Sequence, residues 1–266
     1  MKIAISGKGG VGKTTLAASL VLMLSERGER VLAVDADPDA NLASALGIPA
    51  SEQEQIVPIA ERRALVEERT GAKVKQYGQI FKLNPEVSDV ADVCGYALDR
   101  ICLLVLGAIE AGASGCACPE SVMLRALITD LVLRKEETLI CDMEAGLEHL
   151  GRATARGVDT LLVVVEPGQR SVDSARRIRQ LAEDVGLSDV RFVASKVTGA
   201  DDERFVRDAL SDGEWLGVVP QSEALRSGDR DGRSTLSACE PAVRKAFEGI
   251  LEQLLKDRAP LETKEA

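Results

Sequence analysis

The sequence lacks a hydrophobic run long enough to cross a membrane. Its longest apolar stretches, such as TLLVVVE at 160–166, fall far short of the ~20 residues that a bilayer requires. It also lacks a leader with a charged and then an apolar segment, because Met1 runs directly into a strand-like stretch. From these two absences we expect a cytoplasmic protein.

The sequence also lacks an excess of basic residues. The chain of 266 residues carries 43 acidic and 33 basic side chains, which gives a formal net charge of −10. Nonspecific binding of nucleic acid or of an anionic membrane needs a positive field, and this composition does not supply one. We therefore expect neither nucleic acid nor membrane among the partners.

Clustered cysteines are nearly absent. The chain has six cysteines, and only Cys116 and Cys118 lie close together in sequence. Disulfides are not expected in a cytoplasmic chain, so a clustered pair is better explained by metal binding or redox chemistry. The remaining four cysteines have no partner by spacing and are interpreted as structural: Cys94, Cys102, Cys141 and Cys239.

What the sequence does have is a series of apolar, strand-like runs, most of them separated by helical patterns. Continuous apolar strands are typical of a parallel sheet covered on both faces, so the pattern predicts a doubly wound α/β fold. In such sheets ligands bind beyond the carboxyl ends of the strands. The seven runs are KIAIS (2–6), RVLAVD (30–35), RICLLVL (100–106), TLICDM (138–143), TLLVVVE (160–166), VRFVAS (190–195) and WLGVV (215–219).

The length suits one large α/β domain better than two small ones. Residues 51–98 interrupt the alternation with a charged helical stretch, which we interpret as an insertion on the sheet. A C-terminal helix at about 241–257 has apolar residues at helical spacing and should pack on the core. We expect a single domain over residues 1–256, with residues 51–98 as its insertion, and a flexible tail over 257–266.

A glycine-rich loop carries the strongest functional motif. Gly7, Gly12, Lys13 and Thr14 fit the spacing G-x-x-x-x-G-K-[ST], directly after a strand and before a helix. In such a loop backbone N–H groups face the phosphates, the lysine neutralises β/γ oxygens, and the threonine ligates Mg²⁺. The residues expected to contact the nucleotide here are Gly9, Gly10, Val11, Gly12, Lys13, Thr14 and Thr15.

Lys8 is a second lysine inside this loop, where the backbone tends to aim a side chain away from the loop's own phosphate. The segment GKGGVGKTT resembles the deviant Walker A loop of an ATPase class that includes MinD-type and ParA-type ATPases and the nitrogenase iron protein. The resemblance implies that Lys8 reaches across a two-fold homodimer and stabilises charge on the transferring phosphoryl group. An exposed, solvated lysine is the alternative.

Carboxylates follow two of the strand-like runs. Asp35 and Asp37 end the second run, and Asp142 ends the fourth. The same resemblance implies that Asp37 positions the attacking water, that Asp35 and Asp142 hold the Mg²⁺ shell, and that Gly146 closes the second switch segment. Aspartates after strands are also common as turn and cap residues, which is the alternative for either position alone.

Two segments near the far edge of the sheet fall where this class reads the adenine base: ASKV at 194–197 and VVPQSE at 218–223. By resemblance, Ser195, Lys196 and Pro220 belong to the nucleotide site. Ser195 stands where an asparagine is usual, and Pro220 would contribute through its backbone.

Cys116 and Cys118 are separated by one residue in the stretch GASGCACPES. In an extended segment, side chains two residues apart point to the same face, so both thiols can be presented together. Two chains related by a two-fold axis would bring four thiolates together, which suits a soft or borderline metal ion. Two reduced cysteines packed in a loop are the alternative.

Longer segments of the sequence resemble one particular family within this ATPase class. The chain looks like the CooC/AcsF family of maturation ATPases for carbon monoxide dehydrogenase and acetyl-CoA synthase, from Met1 to about Pro220. The stretches that carry this likeness are VDADPDANL, CACPES, DMEAGLEHLGRATARGVD and VVVEPGQRSVDSARRI. The only histidine, His149, lies in the third of these, where a partly buried helix residue is favoured over a sensor of nucleotide state.

The family implies a homodimer that binds ATP or ADP with Mg²⁺ and holds Ni²⁺ or Zn²⁺ through Cys116 and Cys118 at the subunit interface. It implies a client nickel enzyme, either carbon monoxide dehydrogenase or acetyl-CoA synthase. A ParA/MinD-type positioning ATPase is one alternative, and the acidic composition disfavours it. Another alternative is an Fe–S electron donor like the nitrogenase iron protein. It is disfavoured because the cysteines of the iron protein are well separated, whereas Cys116 and Cys118 lie on one loop.

Overall fold

Within the residues that the computed structural model describes, eight strands form one sheet. In chain order the strands are β1 (Lys2–Gly7), β2 (Val31–Ala36), β3 (Tyr96–Leu98), β4 (Ile101–Val105), β5 (Thr138–Met143), β6 (Thr160–Val165), β7 (Val190–Val197) and β8 (Glu214–Pro220). Their order from edge to edge is β3-β4-β2-β5-β1-β6-β7-β8, and in this sheet only β3 and β4 pair antiparallel. The described residues are 1–73, 80, 82–108, 119–134, 138–144 and 157–257.

All seven apolar runs of the sequence form strands, which confirms the predicted α/β fold. β2, β5 and β6 are buried along their whole length, as expected for parallel strands covered on both faces. The sequence pattern does not predict β3, because three partly exposed residues are too few to show a strand period. Its presence makes the strand of Asp142 the fifth along the chain, where the sequence indicated the fourth.

Helices cover both sides of this sheet. Their bounds are α1 (Lys13–Glu26), α2 (Leu42–Ala45), α3 (Ala50–Gln53), α4 (Arg63–Thr70), α5 (Val90–Cys94), α6 (Pro119–Arg134), α7 (Gln169–Val185), α8 (Ala200–Ala209), α9 (Glu223–Arg230), α10 (Thr235–Ala238) and α11 (Pro241–Lys256). In the described part of the chain, none of these helices combines the length and the apolar character needed to span a membrane.

Each face of the sheet carries its own hydrophobic core. Neighbouring residues of one strand alternate between the two cores: Ile3 and Ile5 face one, and Ala4 faces the other. Residues of α6 and α7 fill the first core, called the α6/α7 core, and residues of α1 and α11 fill the second, called the α1/α11 core. The sheet is therefore shared between two packed layers, with the carboxyl ends of its parallel strands meeting at one edge.

The stretch 51–98 is not one long helix. It contains α3, a 3₁₀ segment at Ile59–Glu61, α4 and α5, because the extended backbone at Pro58 (ψ 147°) interrupts the helical pattern. Ile59, Val66 and Val90 from this stretch are buried in the α6/α7 core. The described part of the stretch therefore packs on the sheet, while the domain limits of 1–256 and the tail over 257–266 stay predictions.

The predicted C-terminal helix is confirmed as α11. It begins with a proline in its first turn, a position where the fixed φ of proline suits a helix and its missing N–H is not needed. Its apolar residues at helical spacing are all buried: Val243, Phe247, Ile250, Leu251 and Leu254.

Candidate nucleotide-binding site

The glycine-rich loop connects the end of β1 to the start of α1. Gly7 has φ of 154°, and a Cβ added to it would lie 2.5 Å from the carbonyl oxygen of Val164 in β6. Only glycine lets the chain leave the sheet at this point. Among the described residues, no atom lies within 4 Å of a Cβ added at Gly9, Gly10 or Gly12, so the loop faces open space.

Helix α1 begins without a side-chain cap. Gly12 is its N-cap residue in a left-handed conformation, with φ of 98°, and the first turn contains no acidic residue. The first N–H groups of a helix have no partner within it and carry the positive end of the helix dipole. The start of α1 is therefore suited to an anion such as a phosphate, as the motif predicts.

Lys13 and Asp37 lie together beside this loop. The Lys13 side chain is 6% exposed, and its Nζ lies 3.8 Å from Oδ2 of Asp37, whose side chain is 18% exposed. Thr14 and Thr15 follow in the first turn of α1 and are partly exposed. The structure thus brings two of the three predicted catalytic residues into contact.

Asp35 and Asp142 are neighbours in the sheet. Their Cα atoms are paired in the parallel register of β2 and β5, and both side chains are fully buried. The Asp35 carboxylate accepts hydrogen bonds from the backbone N–H of Leu42 at 2.9 Å and of Asp37 at 3.2 Å. Neither carboxylate oxygen of Asp142 has a hydrogen-bond partner within the described part of the chain.

Burial dominates the electrostatics of this pair. It raises the pKa of Asp35 to about 7, and the nearby carboxylate of Asp142 adds to the rise. Burial likewise raises the pKa of Asp142 to about 6, while Thr14 and then Lys13 act to lower it. The Thr14 hydroxyl faces the Asp142 carboxylate without reaching full hydrogen-bond geometry. The pair therefore holds negative charge that is poorly compensated.

A hard divalent cation fits this arrangement. Asp142 presents two buried oxygens without donors next to the Thr14 hydroxyl, and Mg²⁺ prefers such oxygen ligands. Each oxygen of Asp35 accepts one hydrogen bond from a backbone N–H, which orders the chain from 37 to 42. The expected place of Asp35 in the Mg²⁺ shell stays a prediction. Among the described residues, no three His, Cys, Asp or Glu side chains form a metal-binding group, so water and phosphate would complete the shell.

Lys8 contacts its own chain. Its Nζ lies 3.4 Å from Oε1 of Glu166, the residue after β6, and its side chain is 39% exposed. Lys196 reaches the same carboxylate, with its Nζ 3.5 Å from Oε2, and also donates a hydrogen bond to the carbonyl of Gly10. The sequence did not single out Glu166, although its position directly after a strand was an available signal.

Ser195 and Pro220 lie on the two strands at the β8 edge. The Ser195 hydroxyl donates a hydrogen bond to the carbonyl oxygen of Val11 at 2.6 Å, and both residues are buried. Pro220 ends β8 opposite Val197. Ser195 therefore stabilises the phosphate loop through this hydrogen bond. A role of Ser195, Lys196 and Pro220 in recognising the adenine base stays a prediction.

Four residues singled out from the sequence lie outside the described residues: Gly146, Cys116, Cys118 and His149. Their predicted roles stay predictions. Cys141, which the sequence suggested is structural, is buried in β5, and burial raises the pKa of its thiol above the ordinary value. A protonated, buried thiol is inert, which agrees with a structural role.

Comparison with known proteins places the chain in a family. The family model described as the CobQ/CobB/MinD/ParA nucleotide binding domain matches residues 2–235. An uncharacterized ATP-binding protein of Methanocaldococcus jannaschii is 46% identical over 259 residues, which cover 96% of this chain and 98% of the relative. The carbon monoxide dehydrogenase accessory protein CooC of Rhodospirillum rubrum is 40% identical over 260 residues, or 98% of each chain.

Solved structures show the same fold. A chain of the MinC:MinD cell division protein complex of Aquifex aeolicus has a TM-score of 0.68 and 20% identity, over 98% of this chain and 97% of that one. The Mg-ADP complex of MinD from Pyrococcus horikoshii has a TM-score of 0.66 and 22% identity, over 95% and 94%. At this identity the likeness concerns the fold alone. Taken with the full-length relatives and the family match, it leads to one assignment: the chain belongs to the CobQ/CobB/MinD/ParA nucleotide-binding family of P-loop ATPases, in the branch that contains CooC.

Proposed function

We propose that this chain is a homodimeric ATPase that delivers a metal ion to a nickel enzyme of the carbon monoxide dehydrogenase or acetyl-CoA synthase class. The observation that carries the proposal is the 40% identity to CooC over 98% of both chains. The likeness extends across the whole ATPase domain and beyond its nucleotide loop. The acidic composition also favours this function over positioning of DNA or division machinery.

The site supports ATP hydrolysis with Mg²⁺. The loop amides, the start of α1 and Lys13 would hold the phosphates, and Thr14 and Asp142 would hold the cation. When bound, Mg²⁺ neutralises charge on the phosphates and on the buried carboxylates. Asp37 is partly exposed: its Oδ1 accepts a hydrogen bond from the backbone N–H of Asp39 at 3.1 Å, and its Oδ2 lies 3.8 Å from Lys13 Nζ. This loosely paired Oδ2 would orient the attacking water.

Lys8 is proposed to act in the partner subunit's site. Its ammonium group lies at the rim of the loop and is partly exposed, and its ion pair with Glu166 is long at 3.4 Å. A lysine from the partner would add positive charge where the phosphoryl group transfers, in the way that an arginine finger does. Hydrolysis would then depend on dimer formation.

The metal ion is the cargo of the proposed reaction. Cys118 directly precedes Pro119, the first residue of α6, and Cys116 lies two positions before Cys118. One such pair from each subunit would supply four thiolates for Ni²⁺ or Zn²⁺. Nucleotide can control this site only if ATP and the metal each bind one dimer arrangement more tightly than another, because coupling between two sites requires differential binding.

Size measurement with and without ATP tests the role of Lys8. We expect ATP to convert the chain from monomer to dimer. Lys8→Ala should retain ATP binding but lose the dimer, and its hydrolysis rate should fall about 10³-fold because the transferring charge is uncompensated. Lys245→Ala, which removes an exposed lysine on α11, is the matched control and should behave as wild type. Normal dimerisation and turnover in Lys8→Ala would show that Lys8 is merely solvated.

Anaerobic metal titration tests the cargo site. Wild type should bind one Ni²⁺ or Zn²⁺ per two chains, with an affinity that changes when ATP is added. The double variant Cys116→Ser/Cys118→Ser should lose this binding because its hydroxyls are poor ligands for these ions. Cys239→Ser removes a partly buried thiol elsewhere and should keep it. Equal stoichiometry in wild type and the double variant would refute metal handling by this pair.

A further inference from the structure

A carboxylate outside the predicted site connects both sides of the phosphate loop. Glu166 follows β6, and its two oxygens lie 3.4 Å from Lys8 Nζ and 3.5 Å from Lys196 Nζ. Lys196 in turn donates a hydrogen bond to the carbonyl of Gly10. These four residues, Lys8, Glu166, Lys196 and Gly10, form a bridge across the rim of the loop, called the Glu166 bridge.

The Glu166 bridge stands on rigid elements. The backbone N–H of Glu166 donates a hydrogen bond at 3.1 Å to the hydroxyl of Ser171, which is buried in the first turn of α7. Lys196 has φ of 55°, a conformation that residues other than glycine rarely adopt, at a shift in the register between β7 and β8. Local strain of this kind is kept where it directs a side chain to a functional position.

The ion pairs of the bridge are loose. Their lengths of 3.4 and 3.5 Å exceed the ~2.8 Å of a tight charge-assisted hydrogen bond. The lysine side chains are 39% and 48% exposed. Solvated pairs of this kind contribute little to folding, so the bridge is not required for stability. It can open when phosphate charge competes for the lysines.

We propose that Glu166 is a positioning residue that retains Lys8 on its own subunit until ATP and a second copy of the chain offer it a phosphate. This inference rests on the proposed action of Lys8 across the dimer. To reach the partner, Lys8 must exchange the Glu166 carboxylate for the partner's triphosphate. Lys196 stays beside Glu166 during this exchange, so the carboxylate is not left without a counter-charge. Glu166 thereby raises the ATP concentration that dimerisation requires.

Glu166→Gln tests this role, because it keeps the side-chain size and removes the charge. Sedimentation with a slowly hydrolysed ATP analogue should show half-maximal dimerisation at roughly two- to fivefold lower nucleotide, the range expected for one exposed ion pair. Glu166→Asp, which retains the charge, should restore part of the wild-type requirement. Glu183→Gln is the matched control: it breaks a 3.2 Å pair with Arg179 further along α7 and should change nothing.

A second variant separates the two lysines. In a Lys196→Ala background, Glu166→Gln should still lower the nucleotide requirement, since the effect is exerted through Lys8. Loss of the effect in that background, or an unchanged midpoint in Glu166→Gln alone, would overturn the proposal while leaving ATP-driven dimerisation intact. A wild-type chain that stays monomeric with ATP would instead contradict the proposed function and this inference together.

Discussion

Asp35 and Asp142 are the two carboxylates at the site whose pKa values are strongly raised. They sit opposite each other in the register of β2 and β5, fully buried. Burial raises the pKa of both, and the Asp142 carboxylate further raises the pKa of Asp35. Asp35 offsets part of this with two backbone hydrogen bonds, whereas Asp142 has none within the described residues. A cation that reached Asp142 would therefore meet two carboxylate oxygens that no hydrogen-bond donor of the described residues occupies.

Without Mg²⁺ or nucleotide, this pair should make the protein less stable as pH rises from about 4 to about 7. The ordinary aspartate pKa is 3.8, whereas the folded-state pKa values of Asp35 and Asp142 are about 7 and about 6. Across that window the folded chain binds more protons than the unfolded chain, so the free energy of unfolding falls as pH rises. Thermal denaturation in chelator between pH 4 and pH 7 measures the decline.

Asp142→Asn should flatten this decline, because it removes one buried charge and relieves the other. Asp201→Asn, at a fully solvated position on α8, is the control and should keep the wild-type slope. A decline as steep in Asp142→Asn as in wild type would show that the pair is not its source.

Single residues could be predicted where a motif sets their spacing. Lys13 and Thr14 follow from the loop pattern, and Asp35 and Asp142 follow from their positions at strand ends. The contact between Glu166 and Lys8 could not be predicted in the same way, because 158 residues separate them in the sequence. They meet because β1 and β6 are neighbours in the sheet, and that pairing is a property of the topology.

At the scale of elements, the passage from β1 into the loop depends on Gly7. Gly7→Ala should destabilise the protein by about 2–3 kcal/mol, because the added Cβ would lie 2.5 Å from the Val164 carbonyl in a backbone conformation that alanine avoids. Denaturant unfolding measures the loss. Gly9→Ala places its Cβ in open space and should stay within about 0.5 kcal/mol of wild type. Equal stability of the two variants would contradict this account of the loop.

Strands were easier to predict than the connections between them. The seven apolar runs form strands because burial on both faces demands continuous apolar residues, and that demand is visible in sequence. β3 lies at the edge with partial exposure, so it leaves no such pattern. The charged stretch after residue 51 is broken at Pro58, where an extended backbone ends the helical periodicity that surrounds it.

At the scale of the whole molecule, the two cores are joined by the strands they share. In β8, Trp215 packs against the α6/α7 core while its neighbour Leu216 lies in the α1/α11 core. Trp215 is the only tryptophan of the chain and its ring lies 5.6 Å from that of Phe192. Its fluorescence therefore reports on one core while a mutation can be made in the other.

Phe247→Ala should lower the unfolding midpoint seen by Trp215 fluorescence, although Phe247 belongs to the α1/α11 core. The loss of a buried phenylalanine should reduce the free energy of unfolding by about 3–5 kcal/mol. Because both cores share one sheet, the change should appear equally in far-UV circular dichroism and in fluorescence. Lys245→Ala, on the exposed face of the same helix, should shift neither midpoint. A displaced dichroism midpoint with an unmoved fluorescence midpoint would mean that the cores unfold separately.

The fold class was predictable at this scale, and the assembly was not. The order of strands and helices follows from burial within one chain. A site shared across a two-fold axis depends on a second copy of the chain. In the structure of one chain, Lys8 contacts Glu166 of the same chain. The thiols at positions 116 and 118 lie outside the described residues. The metal-binding role of this pair therefore rests on spacing and resemblance.

The burial of Cys141 has a practical consequence. This thiol lies in β5 directly before Asp142, and its burial and raised pKa keep it unreactive while the strand stays paired in the sheet. In the native protein a maleimide reagent should leave Cys141 unmodified and alkylate more accessible thiols. Slow alkylation of Cys141 would then time the transient opening of β5, and its protection by Mg-nucleotide would gauge how firmly the ligand locks the centre of the sheet.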